Sequence, residues 1–203
     1  MHLKSLLAVG CLFAVLASVP DAHAEERFPK LPLEQMTPAQ RTVAESIMGT
    51  RKRIAGPFNA WLRSPALADR LQAVGAYLRY ESTLPGDLRE LAIMVTAKHW
   101  GAREEWALHY DPALAAGLSK ELLAELDRGS RPRGMTAQQA IVYEFTMSMH
   151  RDRARIADDL FQKAKAALGE QGVIDLVGVC GYYAAIAMTL NLSEGVRRGE
   201  QAP

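Results

Sequence analysis

The segment EEWALH, residues 104–109, sets two carboxylates and an imidazole within six positions. On a helix, Glu105 and His109 stand four residues apart on one face, with Cβ atoms about 5–6 Å apart, while Glu104 points round the cylinder. A carboxylate beside an imidazole fixes the ring's orientation and raises its basicity, which is what a proton-transfer pair needs. The same spacing also suits a solvated helix face, where such a pair contributes roughly 0.2–0.5 kcal/mol. Spacing alone leaves both readings open. Glutamate and histidine also ligate zinc or iron, but only two ligands are visible here, and His99 would have to swing in from the preceding helix to complete a set. No metal is assigned.

Other residues are weighed in the same way. Glu90 follows Arg89 and immediately precedes the uncharged run LAIMVTA. If that helix is buried, the carboxylate must be paired or sit in a pocket, where desolvation raises its pKa and suits it to acid/base work. The competing reading pairs it with Arg89 or a lysine at the helix entrance. His99, next to Trp100 at a helix end, is a partner for the helix dipole or a lining residue of a site. His150, in MHRDR, reads as a solvated helix end. Tyr182 and Tyr183 lie in the apolar stretch from Leu176 to Leu190, where core packing needs partners for their hydroxyls, and Tyr182 or Tyr183 is a candidate to reach a cavity. Cys180 on the same stretch reads as a small buried hydrophobe.

These residues need helices to position them, and the punctuation supplies helices. Thr37-Pro38 with Gln40 forms a capping-box signal for a helix to about Arg53. Gly56-Pro57 breaks the chain, FNAWL forms an aromatic connector, and Ser64-Pro65 repeats the cap-then-proline signal for a helix to about Tyr80. After Leu84-Pro85-Gly86 comes the helix carrying Glu90, whose apolar run lacks the alternation of a strand and ends at Gly101. Helices follow from about 103 to 114, from Ser119 to about 128, from Thr136 to about 150, near 156 to 168, and from about 171 to 192, with Gly169 as a stop. The fold class is therefore all-α, with about eight helices.

The 203 residues, 49% hydrophobic, supply one domain with a real core. A formal charge of +1 gives no electrostatic reason to expect nucleic acid or an anionic membrane surface, so the expected partners are a small molecule and further copies of the chain. Residues 1–24 carry an early Lys4, an apolar run from Leu6 to Val19, Pro20 and an Ala22-His23-Ala24 cleavage signature. They read as a signal peptide cut after Ala24, which places the mature protein in the periplasm or outside the cell. Residues 25–36 read as an extended lead-in and 37–203 as the helical domain. The C-terminal apolar stretch is too short for a membrane span, so no stable membrane insertion is expected. The mature chain keeps one cysteine, Cys180, which excludes an internal disulfide and dithiol chemistry.

The segment LPGDLRELAIMVTAKHWGAREEWALHYDPALAAGLSKELLAEL resembles the carboxymuconolactone decarboxylase family, which includes the AhpD-like alkylhydroperoxidases. The matching features are a proline-led helix with Arg-Glu before an apolar run, a glycine-started motif ending in histidine, and an AxxAGLS segment. LGEQGVIDLVGVCGYYAAIAMTLNLSEG is similar to that family's closing helix, so the resemblance spans roughly residues 37–193. The peroxidase members carry Cys-x-x-Cys ahead of the histidine, where this chain has Ala102 and Glu105. It therefore resembles the cysteine-free branch, with Glu-Trp before the histidine. The resemblance implies a cofactor-free lyase or isomerase acting on a small organic acid or lactone by proton transfer. It carries His109, Glu105 and Glu90 over as catalytic residues and Trp106 as a pocket wall; His99 and Tyr182 join them as substrate-binding candidates on the reading of the residues alone. It also implies a helical homo-oligomer, a trimer or hexamer. The alternative is a small-ligand-binding or accessory protein that kept the fold without the chemistry.

Overall fold

A computed structural model describes residues 27–194. The leader expected over residues 1–24 lies outside the described residues. Eight helices and no strand occur among the described residues: α1 (Pro38–Arg51), α2 (Phe58–Trp61), α3 (Pro65–Tyr80), α4 (Gly86–His99), α5 (Arg103–Ala115), α6 (Lys120–Asp127), α7 (Ala137–Arg151) and α8 (Asp158–Glu194). The lead-in is extended apart from a single 3₁₀ turn, Leu33–Gln35. It is pinned by Asn59, whose side chain accepts from the Leu31 N–H at 2.9 Å and donates to the Phe28 carbonyl at 2.7 Å.

The local signals act where they stand. Thr37 and Gln40 form a reciprocal capping box at α1, and Thr136 and Gln139 do the same at α7. Ser119 accepts from the Leu122 N–H at 3.1 Å and opens α6. Ser64, expected to cap α3, makes no side-chain cap bond, because its backbone at φ −126° and ψ 78° is off the extended geometry that aims a cap hydroxyl at the first turn. The FNAWL connector closes into one helical turn, since Phe58 and Trp61 lie three residues apart and pack edge to face at 5.5 Å, both buried. The two closing helices form one run, α8, broken at Gly169, whose left-handed φ of 71° interrupts the helix where the stop was expected.

Helix α4 is the centre of the fold. Every residue from Glu90 to Ala97 is buried. Leu88, Ala92 and Ile93 face one apolar cluster with α1, α2, α3, α7 and α8, and Leu91, Met94 and Val95 face a second built from α5 and α6 with Tyr143 of α7. A helix clothed on both sides loses amphipathic periodicity, which is why its sequence reads as an uncharged run. Helix α8 is long and apolar enough to cross a membrane by length and composition, yet 61% of its most apolar 18-residue window is buried against the other helices. Its Asp175 ties it to α3 and to the turn that follows. The carboxylate accepts from Tyr77 Oη at 3.0 Å and from the N–H and hydroxyl of Thr83 at 3.0 and 2.8 Å.

Close approach of α8 to α3 depends on Gly75. A Cβ at Gly75 would stand 2.2 Å from Tyr182 Oη and 2.7 Å from Arg51 Nη2. Elsewhere on a helix, Gly→Ala adds about 1 kcal/mol of stability through propensity. At Gly75 the added methyl would press on the Tyr182 ring, which Trp61 and Tyr183 flank at centroid distances of 6.0 and 5.4 Å. Gly75→Ala is therefore expected to lower stability by about 1–3 kcal/mol, the range for overpacking. Chemical denaturation checks this, and a midpoint at or above the parent's would show that the approach is not tight.

Candidate active site

The turn between α4 and α5 sets the geometry of the site. Gly101 adopts φ +63° and ends α4 in a Schellman motif: its N–H donates to the Lys98 carbonyl at 3.2 Å, and the Ala102 N–H donates to the Ala97 carbonyl at 2.9 Å. The chain doubles back at once, and α5 packs along α4. That brings Glu90 of α4 to His109 of α5, 19 residues apart in sequence.

His109 is held at both ring nitrogens. Nδ1 lies 2.7 Å from Glu90 Oε2, and Nε2 lies 3.1 Å from Glu105 Oε1. All three side chains are buried, with residue exposures of 5% for His109, 4% for Glu90 and 3% for Glu105. Both contacts are hydrogen bonds only if each carries a proton, and a neutral ring donates from one nitrogen alone. Burial by itself would lower the basicity of the ring. The hydrogen bonds to Glu105 and Glu90, with the charges of the two carboxylates, outweigh burial and raise the His109 pKa above its ordinary 6.5. The site therefore holds a proton on an imidazole set between two buried glutamates. The Arg89 guanidinium approaches Glu90 Oε1 only at 3.9 Å, so His109 is the main partner of Glu90.

Tyr183 closes the clamp, its ring edge-on to His109 at 5.1 Å and 89°. Burial pushes the Tyr183 phenol well above its ordinary pKa and that of Tyr182 up to about 12, so both stay neutral. Glu105, His109, Tyr182 and Tyr183 line a cavity of about 250 Å³, whose walls are completed by Phe58, Leu108, Pro112 and Ile186 together with Arg51, Arg53 and Arg79. Glu90 is not in its wall; it stands behind His109, whereas Glu105 faces the cavity directly.

Five of the residues singled out in the sequence thus meet at one place: Glu90, Glu105, His109, Tyr182 and Tyr183. Trp106 and His99 do not line this cavity. Trp106 packs against the second apolar cluster, because its position next to Glu105 turns it round the helix towards α4 and α6. His99 stacks on His150 at 5.0 Å with an interplanar angle of 18°. His150 is not a solvated helix end. It is half-buried, and its Nε2 lies 2.9 Å from Thr96 Oγ1. The Thr96 hydroxyl donates to the Ala92 carbonyl at 2.8 Å, so Nε2–H of His150 is the donor in that contact. Burial, then the neighbouring His99, lowers the His150 pKa to about 4. Cys180 is buried, and burial raises its thiol to about 12, which removes it as a thiolate nucleophile.

Sequence reasoning missed Arg51 and Arg79. Each is the basic residue in the last turn of its helix, α1 and α3, a position where many helices carry a cation to complement the dipole. Nothing local distinguishes a cation that faces a cavity from one that faces water.

No family profile matches the chain, and no curated protein matches it by sequence. Solved structures do match. A variant of the debrominase Bmp8 in complex with 2,3,4-tribromopyrrole aligns with a TM-score of 0.67 at 10% identity, covering 87% of this chain and 94% of that one. An uncharacterized peroxidase-related protein from Silicibacter sp. TM1040 aligns with a TM-score of 0.64 at 17% identity, covering 83% of this chain and 88% of that one. The chain therefore shares the all-helical fold of these two proteins, which supports, at the level of the fold, the resemblance read from its sequence.

Proposed function

We propose that the protein is a cofactor-free lyase or isomerase that moves protons on a small organic acid or lactone. One observation carries this reading: a buried imidazole, bonded at both nitrogens to glutamates, forms part of the wall of a cavity together with one of them. The fold supports a small-molecule catalytic role at a coarse level, since its solved members include a debrominase with a halogenated pyrrole bound. A volume of about 250 Å³ suits a small substrate, since it is below the roughly 300–1,000 Å³ of typical ligand pockets.

In this scheme Glu105 faces the substrate. As a carboxylate it takes a proton from a carbon next to a carbonyl, and the electron pair left behind resides on the enolate oxygen. As a carboxylic acid it returns the proton, to a different carbon in an isomerisation, or to the carbanion left when CO₂ departs in a decarboxylation. His109 relays protons to and from Glu105 through Nε2, and Glu90 at Nδ1 keeps the ring oriented and its charge compensated. The fixed donors are in place before reaction, so they stabilise developing charge without reorganising. Export after signal-peptide cleavage and assembly into a homo-oligomer are part of the same proposal, on the leader sequence and the family resemblance respectively.

Proton exchange tests the reading without knowledge of the natural substrate. In D₂O, the parent should catalyse deuterium incorporation next to the carbonyl of at least one member of a panel of small lactone acids, followed by NMR. His109→Ala should slow this by about 100-fold or more, the usual contribution of general acid–base catalysis. Glu90→Gln should slow it less and leave KM unchanged. Saturable binding with no exchange on any panel member would favour a ligand-binding protein instead.

The pKa of His109 gives a second expectation. Its charged form is stabilised in the folded protein, so the stability it contributes is full below the unfolded value of about 6.5 and is lost as pH rises through the higher folded value. Nitrogen-15 NMR of the imidazole should show titration above 6.5. Glu105→Gln and Glu90→Gln should each lower that midpoint, and a parent midpoint at or below 6.5 would remove the relay.

A further inference from the structure

Arg51 is unusual among the cations of this chain. Its Nε and Nη2 are buried without a hydrogen-bond partner among the described residues, although the side chain lies in the wall of the cavity that also holds Glu105 and His109. A buried guanidinium loses its hydration, and an unpaired one is held at a net cost in stability. The one compensation visible is Phe58, whose ring centroid lies 4.8 Å from the Arg51 guanidinium carbon. A ring face attracts the cation but accepts none of its in-plane hydrogens. The fold nevertheless makes room for this arrangement, since the missing side chain of Gly75 admits Arg51 Nη2 beside the Tyr182 hydroxyl.

The surrounding charges point the same way. Three guanidiniums, those of Arg51, Arg53 and Arg79, line the cavity against the single carboxylate of Glu105. The whole chain carries only +1, so the excess is local to this wall. Arg51 and Arg79 both act electrostatically on Tyr182, which Glu105 also influences, so the cationic and acid/base ends of the cavity lie within reach of one side chain. A small cavity that holds guanidiniums together with a general base selects an anion and orients it.

We infer that Arg51, supported by Arg79, is a carboxylate-binding subsite: the ligand enters as a small organic anion, its carboxylate paired with the Arg51 guanidinium and its reacting carbon towards Glu105. The assignment rests on the reading of this cavity as the substrate site. The carboxylate held at Arg51 is a spectator in the chemistry, because pairing with a guanidinium stabilises it as an anion.

The test separates binding from turnover. A panel of small carboxylates (succinate, benzoate, 5-oxotetrahydrofuran-2-carboxylate) and their methyl esters is titrated by calorimetry into the parent, Arg51→Gln, Arg51→Met, Arg79→Gln and His109→Ala. At least one acid should bind the parent tighter than its ester does. Arg51→Gln should weaken that acid by roughly 10- to 100-fold, the range for a charged hydrogen bond, and leave the ester unchanged. Arg79→Gln should weaken it less. His109→Ala should keep the affinity even where exchange is lost, so failure of the acid/base reading and failure of the subsite appear in different variants. Arg51→Met should melt at or above the parent temperature while losing acid affinity, which a purely structural arginine would not do. Parent that binds no acid better than its ester, or Arg51→Gln that binds the acid as tightly as the parent, would overturn the assignment.

Discussion

A histidine bonded at both ring nitrogens to buried glutamates constrains the rest of this molecule. Two buried carboxylates at 3–4% exposure need a positive partner, and the imidazole donates to both of them when it carries two protons. That partner must come from a second helix, so α4 and α5 have to run side by side in one register. The Schellman turn at Gly101 makes that register, because its paired N–H groups fix where α4 stops and its left-handed residue turns the chain back. Water has to be kept away as well. The apolar run of α4 does this on two sides, and Tyr183 of α8 lays its ring edge against the imidazole.

The cavity inherits its chemistry from this arrangement. In the peroxidase members that the sequence resembles, two cysteines precede the histidine; here Ala102 is a buried residue at the start of α5 and Glu105 is an acid in the cavity wall. The only cysteine of the described chain is far up in pKa and bonded to Thr146, so it offers no substitute thiolate. What remains is a proton-handling wall facing a cationic one. The two sets of groups come from different parts of the chain: the acid/base residues of the wall from α5, backed by Glu90 of α4, and the guanidiniums from the ends of α1 and α3 and the segment between α1 and α2.

Much of the helical framework was legible because helix ends are local chemistry. A capping box needs two side chains three residues apart, and Thr37 with Gln40 and Thr136 with Gln139 form their boxes as expected. Gly169 breaks α8 for the same reason, since a left-handed φ is a property of one residue. Ser64 shows the limit. The residue type suits a cap, but the one-turn helix Phe58–Trp61 immediately before it controls how the chain arrives, and the side chain is not aimed at the first turn. His150 shows another limit: a histidine among charges reads as solvated, whereas stacking on His99 and a bond to Thr96 depend on α7 lying along α4.

By itself the sequence determined that the chain is helical, where most of its helices begin and end, and that Glu105 and His109 share a face, because each follows from groups within about four residues of one another. Only the tertiary structure decided the rest. It put Glu90 behind His109 and Glu105 at the cavity, turned Trp106 into an apolar cluster, and collected Arg51 and Arg79 at a site to which neither points in sequence. The physical reason is that burial and charge compensation are set by which helices pack together. A glutamate or an arginine on a helix has the same local sequence signature whether it faces water, a partner or a substrate.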